Sequence, residues 1–184
     1  MFNKISIIGC GLIGSSILRA VQEKKLASKI SVYDNSNRVM EYLKKNFSVD
    51  ICSNVSETTK DSDLIIISAP LSSYKEILLS IKPNLKEGSI LTDTGSAKKE
   101  INKLVNNLGL KNISWIASHP IAGTEHSGPD AGFSSLFENR WCILSAANQV
   151  AKDKIENLKK FWSKLGSKVK IMSFEDHDLS LIHI

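Results

Sequence analysis

The 184 residues, 42% hydrophobic and 23% charged, have the balance of one globular domain with enough apolar material for a sizeable core. The net charge of +5 comes from lysines spread over surface-like helical stretches such as 23–25 and 152–160, a solvated-face pattern that argues against a nucleic-acid partner. Cys10, Cys52 and Cys142 are far apart and lack CxxC spacing, which argues against a zinc or disulfide framework, and no apolar run approaches the roughly 20 residues of a membrane span, so a cytoplasmic chain without membrane contact is expected.

Short β-branched runs alternate with amphipathic stretches along the chain. Strands are predicted at 5–8, 30–33, 64–68, 90–92, 115–117, 141–145 and 168–171. Helices are predicted between them at 12–25, 37–46, 74–81, 97–108 and 151–165, the last closed by Gly166 as a C-cap glycine would close it. This rhythm of βα units predicts an α/β fold, a doubly wound and mostly parallel sheet of the Rossmann type. The exception is 118–135, a polar, Gly-rich segment read as a loop; loops of that length in compact domains usually carry function.

The first strand runs directly into Gly9-Cys10-Gly11-Leu12-Ile13-Gly14. In that context Gly9 allows a tight turn, Gly11 lets the backbone approach a pyrophosphate, and Gly14 permits close packing of helix on strand. The helix start at Leu12 and Ile13 then offers unpaired N–H groups to the phosphates. Asp34 follows Gly14 by twenty residues at the end of the second strand, where a carboxylate accepts hydrogen bonds from ribose hydroxyls and repels a 2′-phosphate. NAD is therefore expected over NADP, although Arg38 nearby could serve a 2′-phosphate. Ligands of such sheets bind at the carboxyl ends of the strands, which adds Ser68, Ala69 and Pro70, and Asp93, to the cofactor candidates; Asp93 reads equally as a turn or cap residue.

After the fifth predicted strand come His119, Thr124, Glu125 and His126. A hydride-transfer enzyme acting on an alcohol needs a base that titrates near neutrality, and His119, followed by the stiffening Pro120, suits that task. His119 and His126 have no acidic or thiol partner at ligand spacing, so no metal site is expected.

Taken in order, GCGLIGSS, TDTGSAKK, SHPIAGTEHSGPDAG, LFENRWCIL and MSFEDHD resemble the successive signature segments of the prephenate and arogenate dehydrogenase family, over almost the whole stretch from Lys4 to Asp178. The resemblance implies a dinucleotide-binding domain followed by an all-helical dimerisation domain, a homodimeric parent, and a cleft for a small-molecule substrate between the domains. It implies oxidative decarboxylation of prephenate to 4-hydroxyphenylpyruvate, or of arogenate to tyrosine, in tyrosine biosynthesis. It makes His119 the acceptor of the ring hydroxyl proton, Ser96 its orienting partner near the substrate, and Thr124 and Glu125 parts of the substrate pocket; by position alone Ser96 also reads as a helix N-cap and Glu125 as a solvated loop charge. His126 and His177 read as structural, a surface loop residue and a helix-start residue.

The expected domain limits are 1–172 for the dinucleotide-binding domain and 173–178 for the start of the helical one. Residues 179–184, LSLIHI, match a translation of a transposon end sequence used in sequencing libraries and are expected to be a non-native tail; the polypeptide is then expected to bind NAD but to turn over poorly. Two alternatives stand beside this reading. One is an NAD-dependent oxidoreductase of the β-hydroxyacid dehydrogenase type, which would use a lysine on a later helix and leave SHPIAGTEHSG unexplained. The other is an NAD-binding module without catalysis.

Overall fold

The computed structural model describes residues 2–110 and 112–177; the expected tail at 179–184 lies outside them. Eight strands form one sheet, β1 (Phe2–Ile8), β2 (Ala27–Tyr33), β3 (Asp50–Ile51), β4 (Leu64–Ile67), β5 (Ile90–Asp93), β6 (Ser114–Pro120), β7 (Trp141–Ala146) and β8 (Lys168–Ile171). Their spatial order is β3-β2-β1-β4-β5-β6-β7-β8. All neighbours are parallel except β6 and β7. The helices are α1 (Leu12–Glu23), α2 (Asn37–Asn46), α3 (Val55–Thr59), α4 (Tyr74–Ile81), α5 (Lys98–Leu108) and α6 (Lys152–Lys164).

Strand β4 shows why the sheet is covered on both faces. All four residues of Leu64-Ile65-Ile66-Ile67 are buried, the unbroken apolar pattern of a central parallel strand. Leu64 and Ile66 join a core with Ile5, Ile17, Leu18 and Trp162, whereas Ile65 and Ile67 join a second core with Ile77, Leu78, Ile101 and Phe174. Each such side chain contributes about 1.5–3 kcal/mol on burial, and alternation along one strand distributes that stabilisation to two helical layers. No helix of the described residues is long and apolar enough to cross a membrane, and all three cysteines are free thiols.

Every predicted strand and helix is present with ends shifted by a few residues, and the differences that bear on the site are two short additions and one extension. The additions are β3 and α3, of two and five residues. The extension is β6: Ser118, His119 and Pro120, read as the start of a loop, continue the strand because they pair antiparallel with Leu144, Ile143 and Cys142 of β7. Proline is tolerated here because pairing with β7 continues past it through the Ile121 N–H, which donates to the Trp141 carbonyl at 2.8 Å, so the Pro120 nitrogen faces away from β7 and no ladder bond is lost. Gly166, with φ of +101°, follows the Leu165 cap of α6, the left-handed position that favours glycine.

Candidate active site

Chain order reverses between β1 and β4: β2 lies on one side of β1 and β4 on the other. Such a switch point leaves a crevice at the carboxyl ends of the strands. Gly9 enters it with φ of +87°, and a Cβ there would stand 2.7 Å from the Ser68 carbonyl. A side chain on Gly14 would drive into the Gly9 carbonyl oxygen, while Gly11 has open space on its Cβ side, with nothing within 4 Å. Two glycines are thus demanded by the protein's own backbone, and the third leaves room for another molecule to approach. Gly11 is also the N-cap of α1 and makes no side-chain cap bond, so the N–H groups of the first turn, on Leu12, Ile13 and Gly14, face the crevice as donors. The side chains of Leu12 and Ile13 pack on the core instead.

Asp34 closes the turn from the β2 side. Its Oδ2 accepts the Cys10 N–H at 2.7 Å and its Oδ1 the Ser36 N–H at 2.9 Å. Each carboxylate oxygen keeps a second lone pair for a ligand hydroxyl. A cavity of about 530 Å³ opens here, lined by Gly9, Gly11, Asp34, Ser68, Ala69 and Pro70, all expected from the sequence. It is also lined by Asn35, Val55, Ser73, Glu76, Ile77 and Ser80, which sequence reasoning missed; the polar face of α4 was the available signal. The volume suits a small-molecule or cofactor site. The open Gly11 backbone, unpaired helix N–H groups and ribose-competent carboxylate fit a dinucleotide.

Asp93, expected as a cofactor contact or a turn or cap residue, is not among the residues lining that cavity. It is 0% exposed and forms an ion pair of 2.6 Å with Lys98 Nζ, itself 1% exposed. Asp93 also accepts the N–H groups of Gly95 at 3.0 Å and Ser118 at 3.2 Å. Lys98 donates in addition to the Ser118 carbonyl at 2.5 Å. The Ser118 hydroxyl shares a 2.6 Å hydrogen bond with Thr92 and accepts one from Trp162 Nε1 at 3.1 Å. Tyr74 donates to Asp93 at 3.4 Å, and burial together with the adjacent carboxylate pushes its phenol well above the usual range. The residue before His119 is therefore held through its N–H, carbonyl and hydroxyl at once.

His119 stands near the carboxyl end of β6, which runs parallel to β5, and so at the same sheet edge as the glycine turn. Its Nδ1 lies 2.9 Å from Nε2 of His177. His177, expected to be a structural helix-start residue, is fully buried in the helical stretch 174–177, with which the described residues close. Ser96 is exposed in the loop before α5, and Ala97 rather than Ser96 occupies the N-cap, so the capping role is corrected. Thr124 and Glu125 are exposed, Glu125 at 84% of its side chain, and contact His126. They do not line the cavity beside the glycine turn, nor do Ser96 and His119. The loop beyond them folds back on α1: Arg19 donates to the Pro129 carbonyl at 3.0 Å and the Phe133 N–H donates to Ser16 Oγ at 3.1 Å. Among the described residues no cluster of three metal-ligating side chains occurs.

Residues 17–171 match the family model described as prephenate dehydrogenase, nucleotide-binding domain. The chain is 33% identical over 179 residues to the cyclohexadienyl dehydrogenase of Zymomonas mobilis, covering 97% of this chain and 61% of that enzyme. It is 33% identical to the prephenate dehydrogenase of Lactococcus lactis, covering 95% of this chain and 48% of that enzyme. The crystal structure of Aquifex aeolicus prephenate dehydrogenase in complex with hydroxyphenyl propionate and NAD+ superposes with a TM-score of 0.87 at 25% identity, over 98% of this chain and 63% of that one. The chain thus spans from 48% to 63% of the length of these proteins.

Proposed function

Since the chain belongs to the family of prephenate dehydrogenase nucleotide-binding domains, we propose that the whole protein is an NAD-dependent oxidoreductase that decarboxylates prephenate to 4-hydroxyphenylpyruvate or arogenate to tyrosine. The observation that carries the reading is His119, clamped at the sheet edge that also bears the glycine turn. Residues 1–172 act as the dinucleotide-binding domain, and 173–178 begin a helical domain through which the full-length protein forms a cytoplasmic homodimer.

NAD, when bound, supplies the hydride acceptor. The α1 N–H groups bind its phosphates, and Asp34 accepts from the adenosine ribose, which favours NAD over NADP. Ser68, Ala69 and Pro70 wall the cavity. His119 takes the proton of the substrate hydroxyl; Ser96, Thr124 and Glu125 bind the substrate around it. Because aromatisation of the ring drives the reaction, the protein's task is to orient donor and acceptor and accept one proton. Asp93 acts behind the site, holding the backbone of Ser118.

The test uses the full-length protein with both substrates and both cofactors. His119→Asn should lower kcat by about a hundredfold or more, the usual contribution of a positioned base, while NAD affinity stays within about twofold. A variant that keeps most of its kcat would remove His119 from the role of base, and absence of turnover with either substrate in the parent would overturn the proposed reaction.

A further inference from the structure

We propose that His177 is the positioning partner of His119, fixing the tautomer in which its outer nitrogen can accept a proton. The inference rests on the base role given to His119 above, but its geometric premise is independent of that role. The two rings meet through His119 Nδ1 and His177 Nε2 at 2.9 Å, with centroids 5.1 Å apart and planes inclined by 55°.

A hydrogen bond between two neutral imidazoles has one donor and one acceptor, and the choice decides the chemistry. If His177 donated, His119 Nδ1 would be the acceptor and its proton would sit on Nε2, leaving no lone pair there for a substrate hydroxyl. If His119 donates from Nδ1, its Nε2 carries the lone pair and becomes the base. Only the second arrangement is compatible with proton abstraction. When the substrate proton then arrives on Nε2, the His119 imidazolium keeps Nδ1–H directed at a neutral acceptor, and the hydrogen bond becomes charge-assisted. Protons balance: one leaves the hydroxyl, one is gained by Nε2, and His177 changes neither its charge nor its proton count.

The fold anchors His177 for such a task. It is 0% exposed, its N–H donates to the Ser173 carbonyl at 3.1 Å, and Phe174 of the same turn is buried in the second core. The turn begins immediately after β8, where the Met172 N–H donates to the Leu144 carbonyl at 3.0 Å and the Ser173 hydroxyl accepts the Asp176 N–H at 3.0 Å. β7 carries both Leu144 and Ile143, the rung partner of His119. One strand therefore connects the supports of the two rings.

The decisive experiment is nitrogen NMR of the ¹⁵N-histidine-labelled 184-residue chain, at a pH above the ordinary imidazole range. His119 should show a proton-bearing, pyrrole-like Nδ1 and a pyridine-like Nε2. His177→Gln, whose side-chain carbonyl can still accept, should keep that pattern; His177→Phe should lose it, with His119 shifting toward the Nε2–H form. The reverse tautomer in the parent chain, or an unchanged pattern in His177→Phe, would overturn the proposal. If His177→Phe fails to fold, the parent and His177→Gln spectra still decide between the two arrangements. Titration of the same samples with NAD tests the proposed function separately, because failure to bind NAD would count against that reading and not against the imidazole pair.

Discussion

The glycine turn between β1 and α1 and the His119 segment at the end of β6 occupy one edge of the sheet but are held by opposite means. The turn is fixed sterically: Gly9 and Gly14 sit where any side chain would strike backbone, and Asp34, which braces it, accepts two backbone N–H groups. The His119 segment is fixed electrostatically, through a buried ion pair and the hydroxyls of Thr92 and Ser118. Shape alone suffices where a ligand must lie against the backbone. Where one imidazole must be aimed, hydrogen bonds specify direction as well as distance, at the cost of desolvating two charges.

The sharpest way to break this contrast is Lys98→Met. It leaves the Asp93 carboxylate buried without its counter-charge, and losing one partner of a buried pair typically costs about 3–5 kcal/mol. Urea unfolding of the chain should register that loss, and the double variant Asp93→Asn with Lys98→Met should recover a large part of it, since no isolated charge remains. NAD affinity of the folded Lys98→Met fraction should stay near that of the parent. A cost below about 1 kcal/mol would mean that water or another group replaces the ammonium.

Gly14→Ala attacks the other region. The added methyl meets the Gly9 carbonyl, so the turn must open, at about 1–3 kcal/mol for overpacking. Calorimetry should show NAD affinity reduced by about tenfold or more, because the displacement that relieves the contact with the Gly9 carbonyl oxygen misplaces both the phosphate donors and Gly11. The His119–His177 contact should survive, as it joins the end of β6 to the helical stretch after β8 rather than to the turn between β1 and α1. An unchanged NAD affinity would mean that the glycine turn is not where the dinucleotide binds.

The same contrast explains what the sequence made legible. Steric and apolar features write themselves as patterns, so the glycines, the strands and the long helices could be placed by period and spacing. Strand β3, with two residues, and α3, with five, are too short to repeat a period; α3 is held by Asn54 accepting the Glu57 N–H at 2.8 Å. The end of β6 was hidden because Ser118, His119 and Pro120 have loop composition and become strand only through pairing with β7, a tertiary effect. Asp93 read as a cofactor contact or as a turn or cap residue, and its ion pair with Lys98 stayed hidden, since such residues are almost never fully buried unless paired and a pairing five residues apart across a strand end follows no local rule. His177 offered even less, because 58 residues separate it from His119.

Asp34→Ala should have a smaller effect, read in selectivity beside the loss of the turn's two backbone hydrogen bonds to Cys10 and Ser36. The parent chain should prefer NAD over NADP, and the variant should narrow the gap by about tenfold, one charge-assisted hydrogen-bonding group being worth about 1.5–3 kcal/mol. Equal affinities for the two cofactors in the parent would remove Asp34 from the ribose.

The smallest effect belongs to a control outside both regions. Asp63 lies at the opposite, amino-terminal edge of the sheet, where it accepts the backbone N–H groups of Asn3 at 2.6 Å and Lys4 at 3.1 Å and pairs with Lys86. Burial pushes its carboxyl up, but the Lys86 ammonium and the two N–H donors outweigh that and hold it below the usual carboxylate value. A carboxyl depressed in the folded state contributes stability that is present above its unfolded pKa, about 3.9 for aspartate, and is lost as pH falls through the folded value. Asp63→Asn should therefore destabilise the chain by about 1 kcal/mol at neutral pH, discounted for partial exposure. The difference from the parent should shrink as pH falls below the ordinary aspartate range, because the parent's own carboxyl is then neutralised. Urea unfolding at pH 7 and at about pH 3 measures both values. NAD affinity should not change at all, since Asp63 is a whole strand length away from the glycine turn; a loss of affinity would mean that the two edges of the sheet are coupled. A pH-independent difference would instead show that the amide fails for reasons of shape, and that the charge of Asp63 contributes nothing to holding β1 against β4.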